Sequence, residues 1–576
     1  MNSVMQQIPW QRWKPRLLEC LPGYSRKTFL ADVVAGLTVG LVALPLAMAF
    51  GIASGVTPQA GIYTAVVGGF IVSALGGSRI QIGGPTGAFV VIVAGIIARH
   101  GLDGLLMVTM MSGVILLVLG LTGLGNAVKF IPRPIVIGFT NGIALLIAGT
   151  QIKDFFGLKV DKVPSEFFAR MSVLGAHFRT LDMATVALAI VSLAVILLIP
   201  KFLPRVPGSI VALIVSTGAV VLFHLPVATI GTSFGGIPSG LPSFHIPMFR
   251  PDLILPLLPS ALTVAILAAV ESLLSAVVAD SMIGDRHNSN AELVAQGIAN
   301  LVTPLVGGIP VTGAIARTAT NFRSGAKTPI SGIVHSLTLL AILLVLAPLA
   351  KFVPLATLAA VLFVVAYNMS EWREIGGIFR TEIADILVWL VTFVLTVVAD
   401  LTVAVEIGMS LAALLYIYRV SQTTTVSMVT PEYIREGQPH ILQDKDLPAF
   451  VSILRIHGPF LFGTTDKLAE ETADLSGFAR IVILRLRNMT AIDATGLHAF
   501  EVLSDRLHKA GRSLILCGAC DQPARIMNQA DFVEHIGEKN LVANVRDALR
   551  RAGEIDAGLA GLDEEAASDI EHAYFN

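Results

Sequence analysis

Residues 33 to 420 are a nearly unbroken succession of apolar runs separated by short polar stretches. No other feature constrains the fold as much. In a bilayer core every backbone N–H and C=O must find its partner inside the protein, so runs of this kind become membrane-spanning helices. Hydropathy places the spans at 33–52, 59–76, 84–98, 103–124, 127–149, 183–200 and 208–224, then at 258–281, 289–306, 311–323, 328–350, 354–369, 382–399 and 402–419. The chain is 54% hydrophobic and 14% charged with a mean hydropathy of +0.75, and 576 residues of that composition cannot be a water-soluble protein. Seven spans followed by seven put both termini on one side of the membrane. Lysine and arginine choose the side: Arg79, Lys129, Arg133, Lys201, Arg205, Arg286, Arg323, Lys327, Arg373 and Arg380 fall in loops on the side of the termini. The short opposite loops carry little beyond Arg99 and Lys351. The termini are therefore expected in the cytoplasm and the chain in the cytoplasmic (inner) membrane.

Two spans are interrupted. Gly308 to Ser324 reads GIPVTGAIARTATNFRS, an arginine-bearing stretch broken by Gly307, Gly308, Pro310 and Gly313. Gly83 to Phe89, GGPTGAF, echoes it: Pro85-Thr86-Gly87-Ala88 against Pro310-Val311-Thr312-Gly313-Ala314. The third and tenth spans are too short to cross a ~30 Å hydrocarbon core as complete helices. A helix that starts at mid-membrane points unpaired N–H groups and the positive end of its dipole into the protein, which suits an anion. Matching interruptions in two halves mark the binding site between inverted repeats.

The rest of the chain is polar. Residues 1–32 form a cytosolic segment with Arg12, Lys14, Arg16, Arg26 and Lys27, and Trp10 and Trp13 suit an interface. They lack the apolar core of a cleavable signal peptide. Residues 421–448 read as a polar linker, 449–553 as a small α/β domain and 554–576 as an acidic tail. In the α/β domain, strands are expected at 450–456, 480–486 and 513–516, and helices at 465–474, 495–509, 522–529 and 541–552. Cys20, Cys517 and Cys520 exclude a disulfide framework, and Cys517-Gly-Ala-Cys520 reads as two reduced thiols. A net charge of −1 gives nucleic acid no foothold. No nucleotide-binding loop, zinc framework or nucleophilic triad is present, so neither an enzyme nor ATP-driven transport is expected, and no cofactor.

Several fragments together resemble the sulfate permease (SulP) family over almost the whole chain. They are Asp32-Val33-Val34-Ala35-Gly36-Leu37-Thr38-Val39-Gly40 with Leu44-Pro45, Gly76-Gly77-Ser78-Arg79 before Gly84-Pro85, Asn290-Ala291-Glu292-Leu293 with Gly297-Ile298-Ala299-Asn300, and Ala316-Arg317-Thr318. Asp493-Ala494-Thr495-Gly496 resembles a STAS domain. The resemblance implies an α-helical polytopic membrane protein of fourteen spans in 7+7 inverted repeats, about 33–224 and 258–420. It also implies the uracil-transporter-like division into core and gate, elevator-like alternating access, a homodimer, and a cytosolic STAS domain with a possible protein partner. Glu271-Ser272-Leu273-Leu274, His335-Ser336 and Tyr367-Asn368-Met369-Ser370 resemble the bacterial branch that imports C4-dicarboxylates. The resulting expectation is proton-coupled uptake of succinate, fumarate or aspartate; the alternatives are a sulfate or sodium-coupled bicarbonate transporter, or an uncoupled anion channel.

Backbone donors are expected at Thr86, Gly87 and Ala88 and at Ala314, Ile315 and Ala316, with hydroxyls from Thr86 and Thr312 and charge from Arg317. The resemblance adds Leu44, Leu46 and Phe50 from the first span, and Ala316 stands where the family often has serine. Glu271 in the eighth span is the candidate coupling group for H+ or Na+, since a carboxylate at membrane depth must be protonated, paired or bound to a cation. It is also expected to pair with Arg317 when no anion is bound. Asp280, Asp385 and Asp400 read as residues near the membrane faces, Glu406 as deeper, and His335 as a hydrogen-bonded core histidine. Asp493 and Thr495 are candidates for regulation, Thr495 as a phosphorylation site or as a helix cap.

Overall fold

The computed structural model describes residues 13–123, 132–160, 163–164, 166–203, 206–236, 244, 250–370, 372–399, 401–429, 448–529 and 532–558. Trp10, Arg12, Lys129, Arg205, Asp400, most of the linker and most of the acidic tail lie outside the described residues. Two compact units, 1–412 and 413–576, are described separately.

All fourteen expected spans are helical, from Arg26–Ala53 to Leu401–Thr423, and eight of the described helices are long and apolar enough to cross a membrane. The first begins at Arg26, inside the segment read as cytosolic, because Ser25 caps it by accepting the Thr28 amide at 3.1 Å. The second, Pro58–Leu75, contains a π-helical turn at Thr64–Gly68. Thr64 is turned so that its hydroxyl receives the Ile309 amide at 2.8 Å, where the chain approaches the tenth span. The third and fourth spans run as Ala88–Thr122 and part at Gly101, whose φ of 70° is accessible to glycine at little cost. The tenth is only Ile315–Arg323. The 157–182 loop, expected to be irregular, contains the helix Phe167–Ala176.

Packing sorts the spans into two bundles. The first span lies on the eleventh, the fourth on the ninth, and the eighth on the third and tenth; the fifth lies on the twelfth and thirteenth, and the sixth on the seventh and twelfth. The fourth and ninth approach closely because they meet at Gly113 and Gly297, where a Cβ on either would lie 2.8 Å from the other's carbonyl oxygen. The two bundles are the core and gate halves.

At the foot of the first span Asp32 is fully buried. It accepts the Lys327 amide at 2.7 Å, the Thr328 amide at 3.1 Å, the Thr328 hydroxyl at 2.6 Å and the Tyr24 hydroxyl at 3.0 Å. This carboxylate fixes the loop that leaves the tenth span. Burial, with Asp32 next to it, pushes the Tyr24 phenol up to about 12.

The second unit holds a five-stranded sheet in the order β3-β4-β5-β6-β7. Its strands are Thr425–Met428, Val451–Phe460, Ile481–Ile492, Ser513–Cys517 and Leu541–Val542; β3 is antiparallel and the others run parallel. Two expectations need correction here. The start of the linker is β3, and the helix expected over 541–552 begins as strand β7 and becomes helical only at 545. Short edge strands of two to four residues are too brief to show an alternating pattern. Cys517 is buried at the end of β6 and Cys520 is exposed, both free. Burial pushes the Cys517 thiol up to about 11, so at neutral pH it is an inert thiol.

Candidate anion-binding site

The two interrupted spans meet through their backbones. Before the third span, Gly83–Gly84 forms β1; before the tenth, Thr312–Gly313 forms β2. They pair antiparallel, Gly83 opposite Gly313 and Gly84 opposite Thr312. The pairing continues one step, where the Ala314 amide donates to the Ile82 carbonyl at 2.8 Å. Each strand ends where its helix starts, so the N-termini of Ala88–Thr122 and Ile315–Arg323 emerge side by side from opposite directions. Neither has a side-chain cap. The first amides of an uncapped helix have no intrahelical acceptor and suit an anion.

Arg317 lies between them. It is 3% exposed, and its Nη2 donates to the Pro85 carbonyl. Its Nη1 has no hydrogen-bond partner among the described residues. A Cβ on Gly84 would sit 2.5 Å from that Nη1 and 3.4 Å from the Ala65 Cα, and Gly84 has φ 150°. Glycine at 84 is what lets the guanidinium reach across from the tenth span to the mouth of the third.

Glu271 enters from the eighth span. The Thr86 hydroxyl donates to its Oε2 at 2.8 Å, and the side chain is only partly buried. The expected Glu271–Arg317 pair is not formed: no ion pair within 4 Å joins them among the described residues. Each uses a different group near the mouth of the third span instead, Glu271 the Thr86 hydroxyl and Arg317 the Pro85 carbonyl.

Other expectations change more. Thr312 is fully buried; its hydroxyl meets Ser272 Oγ at 2.8 Å and the Ala268 carbonyl at 3.1 Å, and Ser272 Oγ also accepts the Gly313 amide at 3.0 Å. Thr312 is thus a strut that holds β2 on the eighth span. The Ala314 amide is used in the strand pair, which leaves Ile315 and Ala316, both exposed, as the open donors of the tenth span. Gly87 and Ala88 begin the third span as expected, and a Cβ on Gly87 would meet Met369 Sδ at 2.7 Å, Ile147 Cδ1 at 3.0 Å and Phe50 Cε1 at 3.3 Å. Phe50 is therefore at the site, walled in by Ile147 and Met369 from the gate. Leu46 packs against both the core and gate clusters. Leu44 is elsewhere, lining a separate apolar cleft with Leu213 and Leu346.

Sequence reasoning missed Ile147, Ser272 and Asp32 as site or support residues. Ser272 was visible beside Glu271, but nothing local said that it reaches the tenth span. His335 is fully buried, yet neither ring nitrogen has a hydrogen-bond partner among the described residues, which corrects the expectation of a bonded core histidine. Asp280, read near the cytoplasmic face, accepts the His287 amide at 2.9 Å and meets His287 Nδ1 at 2.7 Å. Asp493 caps the helix Ala494–Lys509 through the Gly496 amide at 2.8 Å and also takes the Phe462 amide at 2.9 Å. The cap is therefore Asp493 and not Thr495, which stands exposed in the first turn.

The sulfate permease family profile matches residues 29–392, and a STAS domain profile matches 443–548. YvdB of Bacillus subtilis (strain 168), named only provisionally as a sulfate transporter, is 42% identical over 90% of this chain and 97% of its own. The transmembrane domain of a cyanobacterial bicarbonate transporter, BicA, is 32% identical, with a TM-score of 0.61 over 66% of this chain and 98% of its own. The murine Solute Carrier 26 family member A9 anion transporter in its inward-facing state has a TM-score of 0.84 over 96% of both chains; at 18% identity it supports the fold alone.

Proposed function

The chain belongs to the sulfate permease family, and on that premise we propose that it is a secondary active anion transporter working by elevator-like alternating access. One observation carries the reading: two uncapped helix N-termini meet at mid-membrane beside a buried arginine with an unpartnered Nη1. Such a site can replace part of an anion's hydration with fixed donors. The donors at hand are the first amides of the third span at Gly87 and Ala88, those of Ile315 and Ala316, and the Arg317 guanidinium. The transporter is placed in the inner membrane with both termini cytosolic, which the distribution of lysine and arginine supports. Homodimer assembly and a cytosolic partner for the STAS domain, with Thr495 as its modification site, belong to the same reading.

Glu271 is the proposed coupling group, with the proton as the coupling ion. When it is ionised, the Thr86 hydroxyl hydrogen is committed to its Oε2. Protonation cancels a negative charge next to an incoming anion. It also makes the carboxyl a donor, so that Thr86 can accept from it and turn its own hydrogen toward the anion. Proton and anion then favour each other's binding through one hydrogen bond. Sodium held by Glu271 is the competing coupling ion.

Two substrate readings stand. The names of the relatives favour sulfate or bicarbonate, and none of the relatives described above bears a dicarboxylate name. The apolar wall of Phe50, Ile147 and Met369, with Thr86 and Thr312 already committed, favours an anion with a hydrocarbon body such as a C4-dicarboxylate. The experiment is uptake of labelled sulfate, bicarbonate and succinate into proteoliposomes under an inward proton gradient, without and with sodium. Concentrative uptake of any of them that Glu271→Gln abolishes supports the coupled carrier. Undiminished accumulation by that variant removes Glu271 from coupling, and flux that never exceeds equilibrium marks a channel.

A further inference from the structure

A cleft of about 450 Å³ runs along the outer half of the third span. It begins at Val90, in the first turn after the half-helix mouth, and ends at Arg99. At 1.5 Å per residue that is roughly 13 Å, the outer half of a ~30 Å hydrocarbon core. One wall belongs to the core: the third span itself, with Ser260 of the eighth. The other belongs to the gate, with Thr150 at the outer end of the fifth span and Glu166 and Arg170 from the 157–182 loop. The cleft therefore follows the seam along which core and gate must slide, from the level of the anion site toward the face that the cation distribution makes external.

Two guanidiniums stand in this cleft against one carboxylate. Arg99 is exposed, and its Nε donates to the Gly95 carbonyl at 3.3 Å on its own helix. Arg170 is 6% exposed; its Nε donates to the Pro164 carbonyl at 3.0 Å, so its position is set by the loop that carries it. A buried arginine is costly unless its charge is used. Here one sits on each side of the seam, on the course an anion would take.

We propose that this cleft is the outer port of the transport path, and that Arg99 on the core and Arg170 on the gate form a capture site for small oxyanions or carboxylates passing to or from the half-helix mouths. Guanidinium forks suit the oxygens of either class. A cleft with one prevailing sign of charge raises the local concentration of the opposite ion, and salt weakens that effect. Arg99 moves with the third span while Arg170 stays with the gate, so sliding of the core changes their separation and releases what they hold together.

The port rests on the anion-transport reading, and its test separates the two. In proteoliposomes of known orientation, Arg99→Gln should raise the KM for substrate offered at the outer face about three- to tenfold. Vmax and the KM at the inner face should stay within twofold, and the outer KM should lose much of its dependence on ionic strength. Arg170→Gln should act in the same direction if it folds; the exposed Arg99 keeps the test valid if it does not. Thr150→Cys should react with a membrane-impermeant thiol reagent from outside, and substrate should slow that reaction. A parent chain that transports normally, while Arg99→Gln leaves the outer KM and its salt dependence unchanged or Thr150→Cys reacts only from the inner face, overturns the port alone. A folded parent chain that moves none of the anions overturns the transport reading and the port with it.

Discussion

Gly84→Ala is the smallest change that addresses the proposed site. Gly84 has φ 150°, and an added Cβ would lie 2.5 Å from Arg317 Nη1. Side-chain-bearing residues rarely adopt that backbone, at a cost of about 1–3 kcal/mol. The Cβ also cannot remain 2.5 Å from nitrogen, so the guanidinium must withdraw by roughly 1 Å to reach ordinary contact. Withdrawal breaks its bond to the Pro85 carbonyl. A hydrogen bond from a charged donor is worth about 1.5–3 kcal/mol, so the apparent KM should rise roughly ten- to one-hundred-fold. Gly101→Ala is the control: its φ of 70° carries a similar backbone strain, but no atom lies within 4 Å of the added Cβ. It should lower stability and leave KM nearly unchanged. The assay is initial-rate uptake in proteoliposomes, with thermal unfolding in detergent to confirm folding. Combining Gly84→Ala with Arg317→Lys, which removes the Nη1 that clashes, should give an effect clearly smaller than the sum of the two single changes. A stable Gly84→Ala protein with parental KM would refute the placement of Arg317 at the anion.

Other residues give further tests. Thr86→Val removes the hydroxyl linking Glu271 to the third-span mouth and should flatten the pH dependence of uptake, while Thr86→Ser should restore it; equal pH profiles for both would refute the link. Asp32→Ala strands the Lys327 and Thr328 amides and the Thr328 hydroxyl, at about 1–3 kcal/mol for each buried donor left unpaired; unfolding should shift by several kcal/mol, and an unchanged melting temperature would contradict the clamp. Cys517, raised from 9.0 to about 11, holds its proton more tightly folded than unfolded, so the soluble domain should lose stability as pH rises from about 9 to about 11. Replacing Cys517 with alanine should remove that slope, as equilibrium unfolding at stepped pH can read.

How much of this was legible in the sequence depended on how local its cause was. Each span must satisfy its own backbone hydrogen bonds, so all fourteen could be read from hydropathy, and Gly83–Gly87 and Gly307–Gly313 announced the two interruptions by composition. Arg317 and Glu271 stood out because a charge inside an apolar run is expensive wherever it lies. The helix Phe167–Ala176 and the edge strands Thr425–Met428 and Leu541–Val542 were missed, since each is short and depends on neighbours for its partners. The register of Gly84 on Thr312 lay beyond the sequence, because it joins segments more than two hundred residues apart. That register decides which donors are left for a ligand: it uses the Ala314 amide, sets Thr312 against Ser272, and leaves Ile315 and Ala316 open. The sequence by itself determined that the chain crosses the membrane repeatedly and where it breaks, because those follow from what a bilayer tolerates residue by residue. Only the tertiary structure decided which polar atoms hold the scaffold and which face the ligand, because a donor's availability depends on the partner that folding brings to it.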